Sequence, residues 1–170
     1  FAEVSGKENL VFRGSANLSA PRGQPGSILF DPKNITIANG GADNVATNDQ
    51  FSENPAGSVT FDADQITAIT NTGTAVTLQA NNDIAINEAI VTSNPGGAGG
   101  AITLQAGRLI AINANVTTDD GNFTATANDS NADSANRDAG AGGITLGASV
   151  AINAGAGAIS LTVDPSTTSP

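Results

Sequence analysis

Short stretches in which apolar and polar residues alternate make up most of the chain, and corners of small or polar residues separate them. In "AITLQAGRLIAINANV" (residues 101–116), two alternations flank the corner at residues 106–108. Alternation with a period of two predicts β-strands, because successive side chains of a strand point to opposite faces. The pattern therefore predicts an all-β chain built from short strands.

The same phrase recurs along the chain, which indicates a repeat architecture. Each copy contains a glycine or another small residue, a first strand, a polar corner and a second strand of the form Ile-x-Ile-Asn. Many copies add a third apolar position after the Asn, as at Ile90 and Val116. The predicted first strands begin at a series of apolar residues: Ile28, Val59, Val76, Ile102, Phe123, Ile144 and Ile159.

The order of the strands favours parallel stacking. Hairpins would place Asn-Gly or Asp-Gly between adjacent strands, whereas Asn39-Gly40 and Asp120-Gly121 fall between copies of the phrase. Strands that recur in one order stack naturally in parallel, each about 4.8 Å further along the axis. We therefore predict a single-stranded parallel β-helix (a solenoid), with an antiparallel β-sandwich as the alternative.

The repeats predict one β-helical segment over residues 1–170, clearest in residues 26–163. Two polar segments without alternation, near residues 40–57 and 128–143, are predicted as loops that leave the coil. Asn recurs just after the second strand, and stacked Asn side chains hydrogen-bond along the axis of such a fold. The predicted structural ladder consists of Asn39, Asn87, Asn113 and Asn153.

Composition narrows the classes of function. The chain lacks His, Cys, Tyr, Trp and Met, which excludes disulfides, thiol catalysis and most zinc sites and favours a narrow core of stacked aliphatic residues. Sixteen acidic and six basic residues give a net charge of −10, which disfavours binding to nucleic acid or to anionic membranes. No apolar run approaches the roughly 20 residues of a membrane span. We also expect the chain to be a piece of a longer protein, because it already alternates like a strand at its start.

Two phrases resemble the β-helical repeats of filamentous haemagglutinin-type exoproteins, which are large bacterial adhesins exported by two-partner secretion. They are "GSILFDPKNITIANGG" (residues 26–41) and "AITLQAGRLIAINANVTTDDGNFT" (residues 101–124). The resemblance covers roughly residues 14–163. It implies a secreted or surface-attached protein with a long right-handed β-helix shaft, which displays binding regions away from the cell.

Candidate chemistry is sparse. Without His, Cys or Tyr, nucleophile–base triads are excluded. The basic residues are scattered in sequence, among them Arg13, Arg22, Lys33, Arg108 and Arg137. We therefore predict no catalytic and no cofactor-binding residues. Weak calcium candidates are Asp62, Asp64, Asp119 and Asp120, although solvated turn residues are the favoured interpretation of these carboxylates. The Asn-x-Ser/Thr glycosylation sequons are at Asn17, Asn34, Asn115, Asn122 and Asn128.

From these observations we expect a non-enzymatic structural and adhesive module at an extracellular or bacterial cell-surface location. The expected partners are copies of itself or flanking rungs of a longer chain, which pair with the open ends of the β-helix and extend it into a filament. Host surfaces, neighbouring cells and glycans are further candidate partners. The alternatives are a carbohydrate-binding or polysaccharide-degrading β-helix protein and a calcium-dependent adhesive repeat.

Overall fold

A computed structural model of the chain describes residues 26–30, 32–41 and 54–165. These residues form thirteen strands, one α-helix (α1, Ala63–Thr70) and one 3-10 helix (Ser134–Asn136). The strands are β1 Ser27–Phe30, β2 Pro32–Ile37, β3 Asn54–Phe61, β4 Ala75–Ala80, β5 Ile84–Ile86, β6 Ile90–Val91, β7 Ile102–Ala106, β8 Leu109–Ile112, β9 Val116–Thr117, β10 Phe123–Ala127, β11 Gly143–Leu146, β12 Ile152–Asn153 and β13 Ile159–Val163.

The strands form three parallel sheets. The first sheet has the order β1-β4-β7-β10-β13, the second β11-β8-β5-β2-β3 and the third β12-β9-β6. Three consecutive sets of strands, β4–β6, β7–β9 and β10–β12, each contribute one strand to every sheet, and we call each set a rung. The fold is therefore mostly β, with parallel sheets and one helix. No described strand pair is antiparallel, so the alternative of an antiparallel β-sandwich is wrong for this part of the chain.

The core consists of columns of inward side chains that stack from rung to rung. In the first sheet, Val76 pairs with Ile102, and Ile102 pairs with Phe123. All three are completely buried, while the residues between inward positions are partly exposed. This alternation is what period-2 patterning predicts for strands with one face in the core. The inward side chains are completely buried because the neighbouring rungs cover each of them on both sides.

Two of the predicted first strands lie in a different sheet from the others. Val59 pairs with Ile35 and Ile144 pairs with Ile110, so both belong to the second sheet. The weak copy at Phe123 instead occupies the first sheet between β7 and β13. The alternation of apolar residues is the same in every sheet, so it does not specify which sheet a strand joins.

A helix replaces one predicted strand. In the copy of the phrase whose first strand begins at Val59, the repeat predicts a polar corner and a second strand over residues 62–70, "DADQITAIT", but residues 63–70 form α1. The Asp62 side chain accepts a hydrogen bond from the backbone N–H of Asp64 (3.0 Å) and thereby caps the helix. Ile66 and Ile69, three residues apart, are both buried on one face of the helix.

The two predicted loops have different outcomes. Residues 42–53 of the first loop lie outside the described residues, and its last part, from Asn54, belongs to β3. Residues 128–142 connect β10 to β11 and contain the 3-10 helix but no strand. We call this segment the 128–142 loop.

Glycine is required at two corners where the backbone enters a strand of the first sheet. Gly121 and Gly157 lie two residues before the first residue of β10 and of β13. A Cβ atom on Gly121 would lie 2.6 Å from the carbonyl oxygen of Gly99, and one on Gly157 would lie 2.4 Å from that of Gly121. These corners therefore stack backbone directly on backbone, which leaves no room for a side chain.

We expect Gly121→Ala to lower the free energy of unfolding by roughly 1–3 kcal/mol, because the new methyl group forces the corner apart. The matched control is Gly143→Ala, since no atom lies within 4 Å of a Cβ atom at that position, and it should change stability by less than about 0.5 kcal/mol. Urea denaturation measures both. Equal losses would contradict the close approach at residue 121.

Candidate functional site

A cluster of charged and amide side chains occupies the corner between the first and second sheets. Arg108 donates from Nε to Asp83 Oδ1 (2.9 Å) and from a terminal nitrogen to Asp83 Oδ2 (2.5 Å). The pair joins two successive rungs, and about a quarter of each side chain is exposed. The hydrogen bonding of Arg108 to the Asp83 carboxylate raises the pKa of Arg108 above its ordinary value. A forked pair of this kind fixes the geometry of both side chains.

The 128–142 loop is attached to the same corner through Asp138. Lys33 Nζ donates to Asp138 Oδ1 (2.9 Å), and Asn82 Nδ2 donates to Asp138 Oδ2 (3.0 Å). The backbone N–H of Asp138 donates in return to Asn82 Oδ1 (3.1 Å). Arg108 also donates to the carbonyl oxygen of Ala139 (3.1 Å). We call Lys33, Asn82, Asp83, Arg108 and Asp138 the corner cluster, and it ties the loop to β2 and to two rungs.

The corner cluster bears on the polysaccharide-active alternative, which requires carboxylates beside Arg or Lys on one face. Residues that are scattered in sequence do meet here. However, Arg108 is bonded to Asp83 and Lys33 is bonded to Asp138, so each carboxylate is engaged in an ion pair. Both ion pairs join separate segments of the chain.

Acid is expected to release the loop, because Asp138 holds it as a carboxylate. Lys33 lowers the pKa of Asp138 below its ordinary value of 3.8, since the ammonium group stabilises the ionised form. The stabilisation is therefore complete above about pH 4 and is lost as the pH falls through the lowered folded-state pKa. NMR shifts of the Asp138 backbone N–H and the Asn82 side-chain amide, followed from about pH 6 to pH 2, should report the release.

The variant Asp138→Asn should show the acid-state shifts of these signals already at neutral pH. The control is Asp64→Asn, because Asp64 is an exposed residue on α1. If the control shifted the loop signals equally, the local role of Asp138 would be wrong.

The structure brings together two members of the predicted Asn ladder. Asn113 Nδ2 donates to Asn87 Oδ1 (2.9 Å), from one rung to the next. Asn39 does not occupy the position equivalent to Asn87. Ile37 pairs with Ile86, so the residue that corresponds to Asn87 is Ala38, and Asn39 lies one residue further along the chain. Asn153 belongs to β12 in the third sheet and pairs with Thr117. The contact is therefore limited to Asn87 and Asn113.

Three of the four calcium candidates, Asp62, Asp119 and Asp120, accept hydrogen bonds from backbone N–H groups, and the fourth, Asp64, donates its own backbone N–H to Asp62. Asp62 accepts from Gly40 (2.9 Å) as well as from Asp64, and so joins α1 to the corner after β2. Asp119 accepts from Asn94 (2.5 Å), and Asp120 accepts from Ala156 (2.6 Å). Within the described residues, no three acidic, His or Cys side chains lie close enough to hold a metal ion.

The sequon asparagines that the structure describes also link separate segments. The side-chain oxygen of Asn34 accepts a hydrogen bond from the side-chain amide of Asn82. The side-chain oxygens of Asn115 and Asn122 accept hydrogen bonds from the backbone N–H groups of Ala151 and Ala158, respectively. Asn128 donates to the carbonyl oxygen of Asp164. Asn17 lies outside the described residues. Glycosylation at any of these four would compete with the hydrogen bond that its side chain makes.

One end of the stack leaves apolar residues uncovered. Leu146 of β11 is 52% exposed, and Ile159, Leu161 and Val163 of β13 are 48–50% exposed. The corresponding residues of β7 and β10 are completely buried. Within the described part of the chain, no strand pairs with the outer side of β11, β12 or β13. We call these three strands and their exposed apolar side chains the β13 end.

The backbone hydrogen bonds along one column of the first sheet all run in the same direction from rung to rung. The N–H of Val76 donates to the carbonyl of Ala101 in the next rung, and the N–H of Ile102 donates likewise to Asn122 (2.8 and 2.9 Å). Phe123 donates in the same way to Ala158 (2.8 Å). Ile159 is the next residue in this column, so its N–H points towards the uncovered side.

The opposite end of the stack differs from the β13 end in its second and third sheets. There β3 is the outer strand of the second sheet, and its inward residues Val59 and Phe61 are buried. Helix α1 follows directly, packs against β4 and β6, and buries Ile66 and Ile69. In the first sheet the outer strand at this end is β1, and no described strand pairs with its outer side.

Compared with known proteins, the chain matches no family model, no curated protein and no solved structure. Among the described residues, no helix is long and apolar enough to span a membrane. The corner cluster and the difference between the two ends were missed by sequence reasoning. One regularity of the first sheet is visible in the sequence, because Gly-x-apolar begins each of its strands except β4, where Thr74 replaces the glycine.

Proposed function

We propose that the chain is a non-enzymatic structural module, a segment of right-handed parallel β-helix in an exported adhesive surface protein or fibre. The order in which strands join the sheets supports this architecture. The chain leaves the first sheet at β4, passes through the second and third sheets, and returns beside β4 as β7. Connections between parallel strands of one sheet are right-handed in nearly all known folds.

The observation that carries this proposal is the in-register stacking of the rungs. The same inward columns and the same corner glycines recur, so another rung adds about 4.8 Å of length without changing the cross-section. A unit with this property is suited to building a stiff shaft. The 128–142 loop, whose Ser130, Asn131 and Asp133 are exposed, is the part that such a shaft displays.

The exported location is supported by the resemblance of residues 26–41 and 101–124 to haemagglutinin-type repeats. The first of these phrases includes β1, β2 and the corner after them, and the second includes a whole rung and the start of β10. The absence of Cys is compatible with this location, since a β-helix shaft is stabilised by stacking and requires no disulfide.

Removal of one whole rung should leave a folded protein. Deletion of residues 102–122 joins Ala101 to Phe123 and places β10 on β4 in the register that β7 now has. In the same variant, β11 falls on β5 and β12 on β6. We expect a β-rich circular dichroism spectrum and a cooperative melt at a lower temperature, because fewer rungs bury less apolar surface.

The control is a deletion of equal length that is out of phase, residues 112–132. It joins the second sheet directly to the 128–142 loop and removes β10, so we expect it to unfold the chain. Unfolding of both variants to the same degree would contradict a stack of interchangeable rungs.

The location is tested separately on the organism that makes the protein. An antibody raised against the 128–142 loop should label intact cells or material released from them. Labelling that requires permeabilisation of the cells would contradict export.

A further inference from the structure

We propose that the Asn39–Gly40 peptide is a site of spontaneous covalent modification, at which Asn39 cyclises to a succinimide and opens to isoaspartate, and that Asp62 holds this reaction in check. The site lies in the corner after β2, and the reactants are the chain's own backbone and side chain together with water. This inference goes beyond the proposed function, because it concerns the chemistry of one corner and does not require the module to be adhesive or exported.

The sequence and the exposure of this corner provide both reacting groups. Asn39–Gly40 is the one Asn-Gly pair in the chain, and both residues are exposed. The Asn39 side chain forms no hydrogen bond with any residue that the structure describes. Gly40 has a φ of +73° and no atom within 4 Å of a Cβ position, so no side chain shields its backbone nitrogen from the preceding residue.

The reaction needs no oxidant, reductant or cofactor. The backbone nitrogen of Gly40 gives up its proton and attacks Cγ of Asn39, so that a new N–Cγ bond closes a ring. The Cγ–Nδ2 bond breaks, and the amide nitrogen leaves as ammonia together with that proton. Water then opens the ring. Breakage of the new N–Cγ bond gives aspartate, whereas breakage of the original bond from the nitrogen to the Asn39 carbonyl carbon gives isoaspartate.

Asp62 restrains the nucleophile of this reaction. The N–H of Gly40 donates to Asp62 Oδ2 (2.9 Å), while Asp62 Oδ1 accepts from the N–H of Asp64 at the start of α1 (3.0 Å). Loss of the Gly40 proton would place a second negative charge beside the carboxylate, which is electrostatically unfavourable. The hydrogen bond must also break before the nitrogen can turn towards Cγ. Asp62 therefore opposes both steps that lead to the ring.

The backbone around Asn39 is fixed on both sides. The N–H of Gly41 donates to the carbonyl of Ala38 (3.1 Å), and the N–H of Ala38 donates to the carbonyl of Phe61 (2.9 Å). A Cβ atom on Gly41 would lie 2.3 Å from the carbonyl carbon of Phe61, so the turn packs directly on the last residue of β3. Ring closure consequently requires a local opening that separates the turn from β3.

The products are incompatible with the present contact between the corner and α1. In the succinimide, the Gly40 nitrogen carries no hydrogen and cannot donate to Asp62. In isoaspartate, the main chain is longer by one carbon, and a free carboxylate lies close to Asp62, which repels it. Because ammonia leaves, a transient opening of this corner becomes a permanent one.

The Asp120–Gly121 peptide provides a reference within the same chain, since Asp-Gly pairs form the same ring with loss of water. Asp120 Oδ1 accepts from the N–H of Ala156 (2.6 Å), and the N–H of Gly121 donates to the carbonyl of Thr118 (3.1 Å). Gly121 is also buried. Both the side chain and the nitrogen are held there, so we expect no isoaspartate at Asp120 in the folded protein.

The experiment incubates the full chain at neutral pH and follows the conversion of Asn39 by peptide mass spectrometry. In the variant Asp62→Asn, the new side chain can still cap α1, because Asn is a preferred N-cap residue, but its NH2 group cannot accept from Gly40. We expect conversion of Asn39 to be about two- to tenfold faster, the factor that corresponds to one hydrogen bond. Hydrogen exchange at the Gly40 N–H should accelerate as well.

Two control variants separate this contact from general effects. Asp64→Asn removes the same charge from an exposed side chain of α1, and Ala68→Gly weakens the helix at an exposed position away from the corner. Both should change the conversion rate less than Asp62→Asn does. The chain unfolded in urea gives the unrestrained rate, which should exceed that of the folded wild-type protein.

Three results would overturn the proposal. Slower conversion, or none, in Asp62→Asn would mean that Asp62 promotes the reaction or that the site is unreactive. Equal acceleration in Ala68→Gly would assign the control to loosening of the helix and not to the bond at Gly40. Equal rates in the folded and the unfolded wild-type chain would show that the fold does not restrain Asn39.

Discussion

The burial of each inward apolar row against the rows of the neighbouring rungs is the constraint on which the whole structure depends. Full burial of a Leu, Ile or Phe side chain stabilises a fold by about 1.5–3 kcal/mol, and in rungs of two to six residues per strand there are few such side chains. A rung covered on one side, as at Leu161, realises about half of this contribution. Interior rungs are stable because two neighbours cover them, and so the register between rungs must be maintained along the entire stack.

This constraint explains which parts of the fold could be predicted from the sequence. The column Val76, Ile102, Phe123 and Ile159 was predicted because a small corner residue and a period-2 strand recur in one order. The assignment of Ile144 to the same column failed because a strand of the second sheet has the same alternation as one of the first. At α1, Ile66 and Ile69 fit a helical period, and the adjacent Asp62 cap, which stabilises a helix start, decides between helix and strand. Eight residues are too few for periodicity alone to make that decision.

The site was less predictable than the fold, and the reason is the distance along the chain. Lys33 and Asp138 are separated by 105 residues, and their contact depends on the lengths of every rung between them and on the path of the 128–142 loop. The contact between Asn87 and Asn113 was predictable because both occupy the same position in consecutive copies of one phrase. Contacts between equivalent positions follow from the repeat, whereas contacts between a rung and a loop follow from details that no repeat encodes.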